Sequence, residues 1–343
     1  MEKKRISVVM CTYNGELFLR EQLDTLVTQT LLPDEIIIQD DHSTDGTLAI
    51  LKEYAARYPF IRVCLNDGER GVNSNFFGAL RKATGDLIAI CDQDDLWESS
   101  KLELQAAAIG DHLLCSCFSQ PFSEDGSFAS FDSRHPNTSL IRLLFASLPG
   151  HTMLINRKLI DLLPADNIIY GISLYDAILG MTAAAFDSIV FVDKVLVHQR
   201  RYARAATYTE FSGSLPTVGN AFRILRWSLC NYTKAKPHLQ RYFRGRQALF
   251  RELHPDTQIY REGCRLIGLQ LTNGPIAYIR LTCFFIRHRS RLFQTPGGGI
   301  VKWLRALLYP IMQMYNYRLW VKRKQKEKNQ QVSLGDAAKN VKQ

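Results

Sequence analysis

The first hundred residues alternate between two hydrophobic rhythms. Ile6–Cys11 is a nearly unbroken apolar run, long enough for a strand and too short for a helix. Glu16–Thr28 follows with Leu17, Leu19, Leu23, Leu26 and Val27 at helical spacing. Glu35–Gln39 holds three consecutive isoleucines, Ile36, Ile37 and Ile38, the pattern of a strand covered on both faces. Ser43–Gly46 is a helix-capping cluster and predicts a helix to about Tyr58. Ile61–Leu65 reads as a strand, Asn75–Ala83 as a short helix closed by Gly85, and Asp86–Cys91 as a fourth strand. This alternation predicts βαβ units: an α/β fold with a mostly parallel sheet flanked by helices.

Beyond this the pattern loosens. Ser99–Ile109, Leu140–Leu148 and Ser173–Phe186 read as helices, and His151–Asn156, Ile189–Val192 and Val195–Gln199 as strands. After about residue 215 the chain turns helical and basic. The stretches 221–252, 276–293 and 299–326 interleave Arg and Lys with Phe, Trp, Leu, Ile and Tyr, and Thr295–Gly299 breaks the last two. The polar tail from about Lys324 is expected to be disordered. No run reaches the roughly 18 apolar residues of a transmembrane helix. Ile276–Ile286 is interrupted by Arg280, and Val301–Val321 by Lys302, Arg305, Pro310 and Arg318.

In largely parallel sheets ligands gather at the carboxyl ends of the strands. That rule selects Thr12-Tyr13-Asn14-Gly15, Asp40-Asp41-His42-Ser43 and Asp92-Gln93-Asp94-Asp95, which should meet in one cleft. Three carboxylates within four residues repel one another, and a hard cation such as Mg²⁺ or Mn²⁺ relieves that repulsion. The plainer reading of the third cluster is a solvated acidic turn before the helix at Ser99. In the second cluster an aspartate could accept hydrogen bonds from a base N–H and ribose hydroxyls, while Ser43, Thr44 or Asp45 caps the helix.

Composition is that of a globular chain, 46% hydrophobic and 22% charged over 343 residues, which excludes a wholly disordered protein. The net charge of +10 is unevenly spread. Residues 1–220 carry 19 Lys/Arg against 28 Asp/Glu, and residues 221–343 carry 24 against 5. The basic third asks for a polyanionic partner: lipid headgroups, glycan phosphates or nucleic acid. Eight cysteines without a CxxC pair argue for a reducing compartment and against a zinc site. Met1–Arg5 leads straight into a strand, without the apolar stretch of a signal peptide.

The stretches Ile6–Gly15 (ISVVMCTYNG), Gln39–Thr47 (QDDHSTDGT) and Gly85–Asp95 (GDLIAICDQDD) together resemble the signatures of glycosyltransferase family 2, with the GT-A fold. Order, spacing and strand context agree over about the first 110 residues; a weaker likeness runs to about 205, and the last third falls outside it. By this resemblance Thr12, Tyr13 and Asn14 contact a nucleotide, Asp41 binds a pyrimidine N3–H with Asp40 beside it, Asp92 lies near the ribose, Asp94 holds the metal and Asp95 shapes the cleft. The form that continues to Trp97 is similar to rhamnosyltransferase-like members. Gly150, His151 and Thr152 match an acceptor-side segment, to which Trp97 is also assigned. Asp176 falls where the family keeps its catalytic base; the plainer reading is a helix N-terminal carboxylate favoured by the dipole. Many relatives have an Arg-x-His pattern where this chain has Arg200 and Tyr202, so His198 is the substitute candidate for the metal.

The resemblance therefore implies a GT-A catalytic domain over 1–210, with a nucleotide-sugar half (1–110) and an acceptor-side half (111–210). A basic amphipathic region (211–325) and a tail (326–343) follow. The expected activity is inverting transfer of a sugar, rhamnose among the candidates, from a dTDP-, UDP- or GDP-linked donor to a hydroxyl of a glycan or lipid-linked saccharide, with Mn²⁺ or Mg²⁺, in bacterial cell-surface polysaccharide synthesis. The expected location is cytoplasmic, on the inner face of the plasma membrane, against anionic lipid. Two rivals are a nucleotidyltransferase that makes activated sugars, and a non-catalytic nucleic-acid-binding protein. The first lacks its Gly-rich basic phosphate loop after the first strand, and the second lacks a recognition motif.

Overall fold

The computed structural model describes residues 4–123, 133–201, 218–293, 299–318 and 321. Tyr202, the tail from 326 and most of the expected break at 295–299 lie outside them. The described residues fall into two compact units, one drawn from Met1–Gly213 and Ala248–Cys264, the other from Ser214–Gln247 and Arg265–Gln343.

The first unit is built on an eight-stranded sheet. Its strands are β1 (Ile6–Thr12), β2 (Glu35–Asp40), β3 (Ile61–Leu65), β4 (Leu87–Cys91), β5 (Leu96–Trp97), β6 (Leu114–Phe122), β7 (Leu154–Asn156) and β8 (Ile189–Arg200), in the order β3-β2-β1-β4-β7-β6-β8-β5. β3, β2, β1 and β4 run parallel; β7 is antiparallel to both β4 and β6, and β6 and β8 pair parallel again. Helices α1 (Leu19–Val27), α2 (Thr47–Arg57), α3 (Val72–Lys82) and α4 (Lys101–Ile109) connect the early strands. Two single turns, α5 (Leu140–Leu143) and α6 (Lys158–Asp161), precede α7 (Tyr175–Ala185). The sheet is mostly parallel and flanked by helices, as the apolar pattern requires.

Local chemistry explains the strands. Ile36, Ile37 and Ile38 are fully buried, so both faces of β2 are covered. Gly85 sits so close to β1 that a Cβ there would lie 2.7 Å from the Ser7 backbone nitrogen. Asp45 Oδ1 accepts from the Thr47 backbone N–H at 3.0 Å and starts α2.

Three expected elements change. Leu140–Leu148 forms only the one turn of α5, with Pro149 following. The strand expected at His151 begins at Leu154, after a 3₁₀ turn at Gly150–Thr152. The two strands expected at 189–192 and 195–199 are one, β8, whose register against β6 shifts at Cys117–Ser119, a bulge that absorbs the exposed Asp193-Lys194 pair. β6 itself was not anticipated.

The second unit is helical. α8 (Val218–Cys230), α9 (Tyr232–Glu252), α10 (Gln258–Leu271), α11 (Pro275–Arg287), the single turn α12 (Arg289–Leu292) and α13 (Gly299–Met312) make up the C-terminal third, with parts of α9 and α10 belonging to the first unit. α10 lies between the basic stretches that the sequence pattern singled out. Among the described residues no helix is long and apolar enough to cross a membrane.

Candidate active site

The parallel register brings the carboxyl ends of β1, β2 and β4 together: Thr12 sits opposite Asp40, and Met10 opposite Cys91. The three polar turns leave the sheet side by side. Gln93 ties two of them, its Oε1 accepting from Tyr13 N at 2.9 Å and its Nε2 donating to Tyr13 O at 3.2 Å.

The first two turns form a closed hydrogen-bonded unit. Asp40 is fully buried, and its carboxylate accepts from Thr12 Oγ1 at 2.7 Å, Ser43 N at 2.7 Å and Ser43 Oγ at 2.6 Å. Asp41 is buried and accepts from Asn66 Nδ2 at 2.7 Å and Gly71 N at 2.9 Å. Asn14 and His42 hold left-handed backbone, φ 47° and 62°. Asn14 N donates to Ser43 Oγ and Asn14 Oδ1 accepts from Thr44 N, both at 2.8 Å, so the β1 and β2 turns are stitched to each other. Tyr13 stays half exposed above them. Arg70, which the sequence reading did not select, donates to the carbonyls of Asp41 and His42 and brings its guanidinium to 5.9 Å from the Tyr13 ring centre.

The third turn is different. Asp92, Asp95 and His151 each offer a ligand atom, and these atoms lie within 4.8 Å of one another. His151 Nδ1 is 3.3 Å from Asp92 Oδ2 and 3.4 Å from Asp95 Oδ2, and its Nε2 is 2.9 Å from Ser119 Oγ. His151 reaches this place because β7 runs antiparallel to β4. The residues just before β7 therefore lie at the carboxyl end of β4, and Ile90 N donates to Met153 O. Asp95 is 2% exposed, and its Oδ2 is buried without a hydrogen-bond partner. Burial pushes the Asp95 carboxyl up to about 7, with His151 opposing and Asp92 and Asp94 adding to the rise. Burial acts to lower the His151 pKa, but the charges of Asp95 and Asp92 outweigh it and raise it.

A carboxylate oxygen that is buried and accepts no hydrogen bond, next to a second carboxylate and an imidazole, is a donor set suited to a divalent cation. Arg200 holds the turn from behind. Its N–H donates to Asp95 Oδ1 at 3.1 Å, its Nε to Asp94 O at 3.2 Å and its Nη2 to Glu21 at 2.7 Å, with the guanidinium over the Phe18 and Phe122 rings. Asp94, half-buried in the same turn, is outside the three-residue group.

Asp176 lies at the start of α7. It accepts from its neighbour Ala177 N at 2.7 Å. Burial raises its pKa, and Asp92 adds to that rise while Ala177, Ser147 and His151 oppose it. The preceding segment is clamped by Asn73 of α3, whose Nδ2 donates to the carbonyls of Tyr170 and Ser173 and whose Oδ1 accepts from Tyr175 N. Tyr175 stacks on Phe76 and fills the space over Gly150, where a Cβ would lie 2.2 Å from the Tyr175 hydroxyl. Glycine at 150 is therefore a packing requirement.

The remaining selected residues have their polar groups or rings engaged by other partners. Thr152 is fully buried, with Oγ1 bonded to Pro149 O at 2.7 Å and to Ser116 Oγ at 2.8 Å. Trp97 is 4% exposed, in the core, with the buried Lys101 ammonium 3.8 Å from its ring centre. His198 pairs across from Leu96 on β5, and its Nε2 is 2.6 Å from Glu98 Oε1.

Residues 7–165 match the family model described as glycosyl transferase family 2. This segment is a family 2 glycosyltransferase domain. An uncharacterised protein of Mycobacterium tuberculosis is 43% identical to the chain over 110 residues, 31% of this chain and 32% of the relative. The dTDP-rhamnosyl transferase RfbG of Shigella flexneri is 36% identical over 99 residues, 27% of this chain and 34% of the relative. These matches span about a third of the relatives' own length. The Staphylococcus aureus TarS 1–349 structure, solved with UDP-GlcNAc, covers 92% of this chain and of its own at a TM-score of 0.53 and 16% identity, which is a likeness of fold. The family 2 fold, GT-A, is the one that the parallel strands and their acidic turns describe.

Proposed function

We propose that the chain is a glycosyltransferase that moves a sugar from a nucleotide-diphosphate donor to an acceptor hydroxyl with inversion at the anomeric carbon. The observation that carries the reading is the convergence of Asp92, Asp95 and His151 in the turn that Gln93 ties to Tyr13, with the charges of Asp92 and His151 acting on Asp176. The β1 and β2 turns form the nucleotide side, with Tyr13 as a platform for a base and Asp41 as the acceptor for a base N–H. Arg70 adds a positive charge beside the same turn.

Asp92, Asp95 and His151 would hold Mn²⁺ or Mg²⁺, with Asp94 next to them; His198, engaged by Glu98, is the more remote candidate. When bound, the cation supplies positive charge to the diphosphate as it departs. Asp176 takes the proton from the acceptor hydroxyl. Its burial raises its pKa and so makes it a stronger base than an exposed aspartate. The RfbG and TarS likenesses support a dTDP- or UDP-linked donor, with rhamnose or another hexose to be moved, and a GDP-linked donor is the remaining alternative. The acceptor is a glycan or lipid-linked saccharide in cell-surface polysaccharide synthesis. The protein works at the cytoplasmic face of the membrane, where the basic C-terminal helices meet anionic lipid.

The test has two parts. Calorimetry with UDP-, dTDP- and GDP-sugars, with and without Mn²⁺, should show one nucleotide class binding in a metal-dependent way, and Asp92→Ala should weaken that dependence. Asp176→Asn should bind the same donor nearly as well and transfer nothing. Undiminished turnover in Asp176→Asn would remove Asp176 from the chemistry.

A further inference from the structure

The described part of the second unit contains 15 Lys and Arg and no Asp or Glu. Charge of one sign on that scale, with no acidic residue among the unit's described residues, favours an anionic surface. The same unit also leaves large apolar side chains in water. On α11, Ile276 is 66% and Ile279 60% exposed. Arg280, Cys283 and Arg287 are exposed too, at the spacing that puts all five on one side of the helix. On α13, Ile300 is 77%, Trp303 43% and Leu304 47% exposed, and among its described residues only Ala306 and Pro310 are buried. The two helices pack on each other through Phe285 and Tyr309, whose rings meet edge to face at 5.1 Å. The exposed residues are thus what remains after the helix pair has made its own core.

We propose that α11 and α13 dock in the interface of an anionic lipid bilayer, with Ile276, Ile279, Ile300, Trp303 and Leu304 entering the headgroup–acyl boundary and Arg280 and Arg287 holding lipid phosphates. Three points select a bilayer. Aliphatic side chains and an interfacial tryptophan gain from leaving water for the acyl boundary, whereas a nucleic-acid backbone offers them nothing. Arginine on the same helix side can carry its charge up to the headgroups along its apolar stem. A second copy of the same face would set cation against cation. The proposal rests on the membrane placement made above and assigns it to named side chains.

The test is co-sedimentation of the full chain with phosphatidylcholine vesicles, with and without phosphatidylglycerol. The wild type should pellet with the anionic vesicles and not with the neutral ones, and salt should weaken it. Ile300→Ser/Trp303→Ser/Leu304→Ser and, separately, Arg280→Gln/Arg287→Gln should each weaken anionic-vesicle binding by about tenfold or more. Thermal melting would confirm that these variants fold, and Trp303→Ser alone serves should the triple variant not. Anionic-vesicle binding that both variants keep would overturn the assignment to α11 and α13 while leaving the membrane placement standing. Wild-type protein that ignores anionic vesicles overturns both, and so does a chain that binds duplex RNA or dimerises through this face instead. None of these readouts needs sugar transfer, so the glycosyltransferase reading is judged separately.

Discussion

Two acidic turns leave the parallel strands on either side of β1 and meet opposite fates. At the end of β2, Asp40 and Asp41 are both buried, and five hydrogen bonds from Thr12, Ser43, Asn66 and Gly71 neutralise their oxygens. At the end of β4, Asp95 is equally buried but keeps one oxygen without a hydrogen-bond partner, with Asp92 and His151 converging on it. Both turns are rich in aspartate, two in residues 40–43 and three in residues 92–95, and they differ in the number of N–H and O–H donors aimed at the buried carboxylates. A carboxylate with its donors in place holds a loop in shape. One left short of them, in a low-dielectric setting next to another negative charge, is relieved by taking up a proton or by a cation. Binding function is therefore read from missing donors as much as from the carboxylates.

The largest effect expected from breaking this contrast is on turnover. Asp92→Ala should lower transfer by about a thousandfold, a barrier increase of about 4 kcal/mol. The metal-free variant should melt no lower than the wild type, because one of the repelling charges is gone. A parallel loss of activity and melting temperature would show that Asp92 is structural and remove the contrast. Asp40→Ala should do the reverse. It strands three donors in a buried site, at a cost of about 3 kcal/mol or more, readable as a lower denaturant midpoint at unchanged slope. A third, smaller effect is the response to Mn²⁺. At about a hundredfold excess over its Kd the wild type should melt about 5–10 °C higher, and Asp92→Ala should not respond.

How much of this was legible beforehand follows from the type of signal. β1 to β4 announce themselves because each is a short apolar run that ends in a polar turn, and periodicity is local. β6 does not, since Leu114–Phe122 mixes Ser, Gln, Pro and Cys with its apolar residues and has neither a period of two nor a continuous apolar run. The acidic cluster was visible as carboxylates in sequence, and by resemblance Asp94 was assigned the metal. The group that the fold assembles is Asp92, Asp95 and His151. No local rule could supply His151, because its position depends on β7 running antiparallel to β4, a matter of chain direction and strand order. Asn73 and Arg200 hold the site through contacts roughly a hundred residues away in sequence, to Tyr175 and to Asp95, and such distances leave no mark on a periodic pattern.

The last expected effect is the smallest and tests the contrast through pH. Burial, with Asp92 and Asp94 adding to it, lifts the Asp95 pKa from 3.8 to about 7 in the folded, metal-free protein. A folded state that holds a proton more tightly than the unfolded chain gains stability below the unfolded pKa and loses it as pH rises to the folded one. His151, also raised, acts in the same sense from 6.5 upward. The metal-free wild type should therefore lose stability between about pH 4 and 7 relative to Asp95→Asn, which keeps an oxygen for the Arg200 N–H and has no proton to lose. Mn²⁺ should reverse the trend in the wild type, since a cation competes with those protons and its stabilising effect grows as they leave. The measurement is a series of melting curves for both proteins across that range, with and without Mn²⁺. Parallel curves for the two metal-free proteins would mean that the Asp95 carboxylate is already satisfied, and that the two acidic turns do not differ in the way argued above.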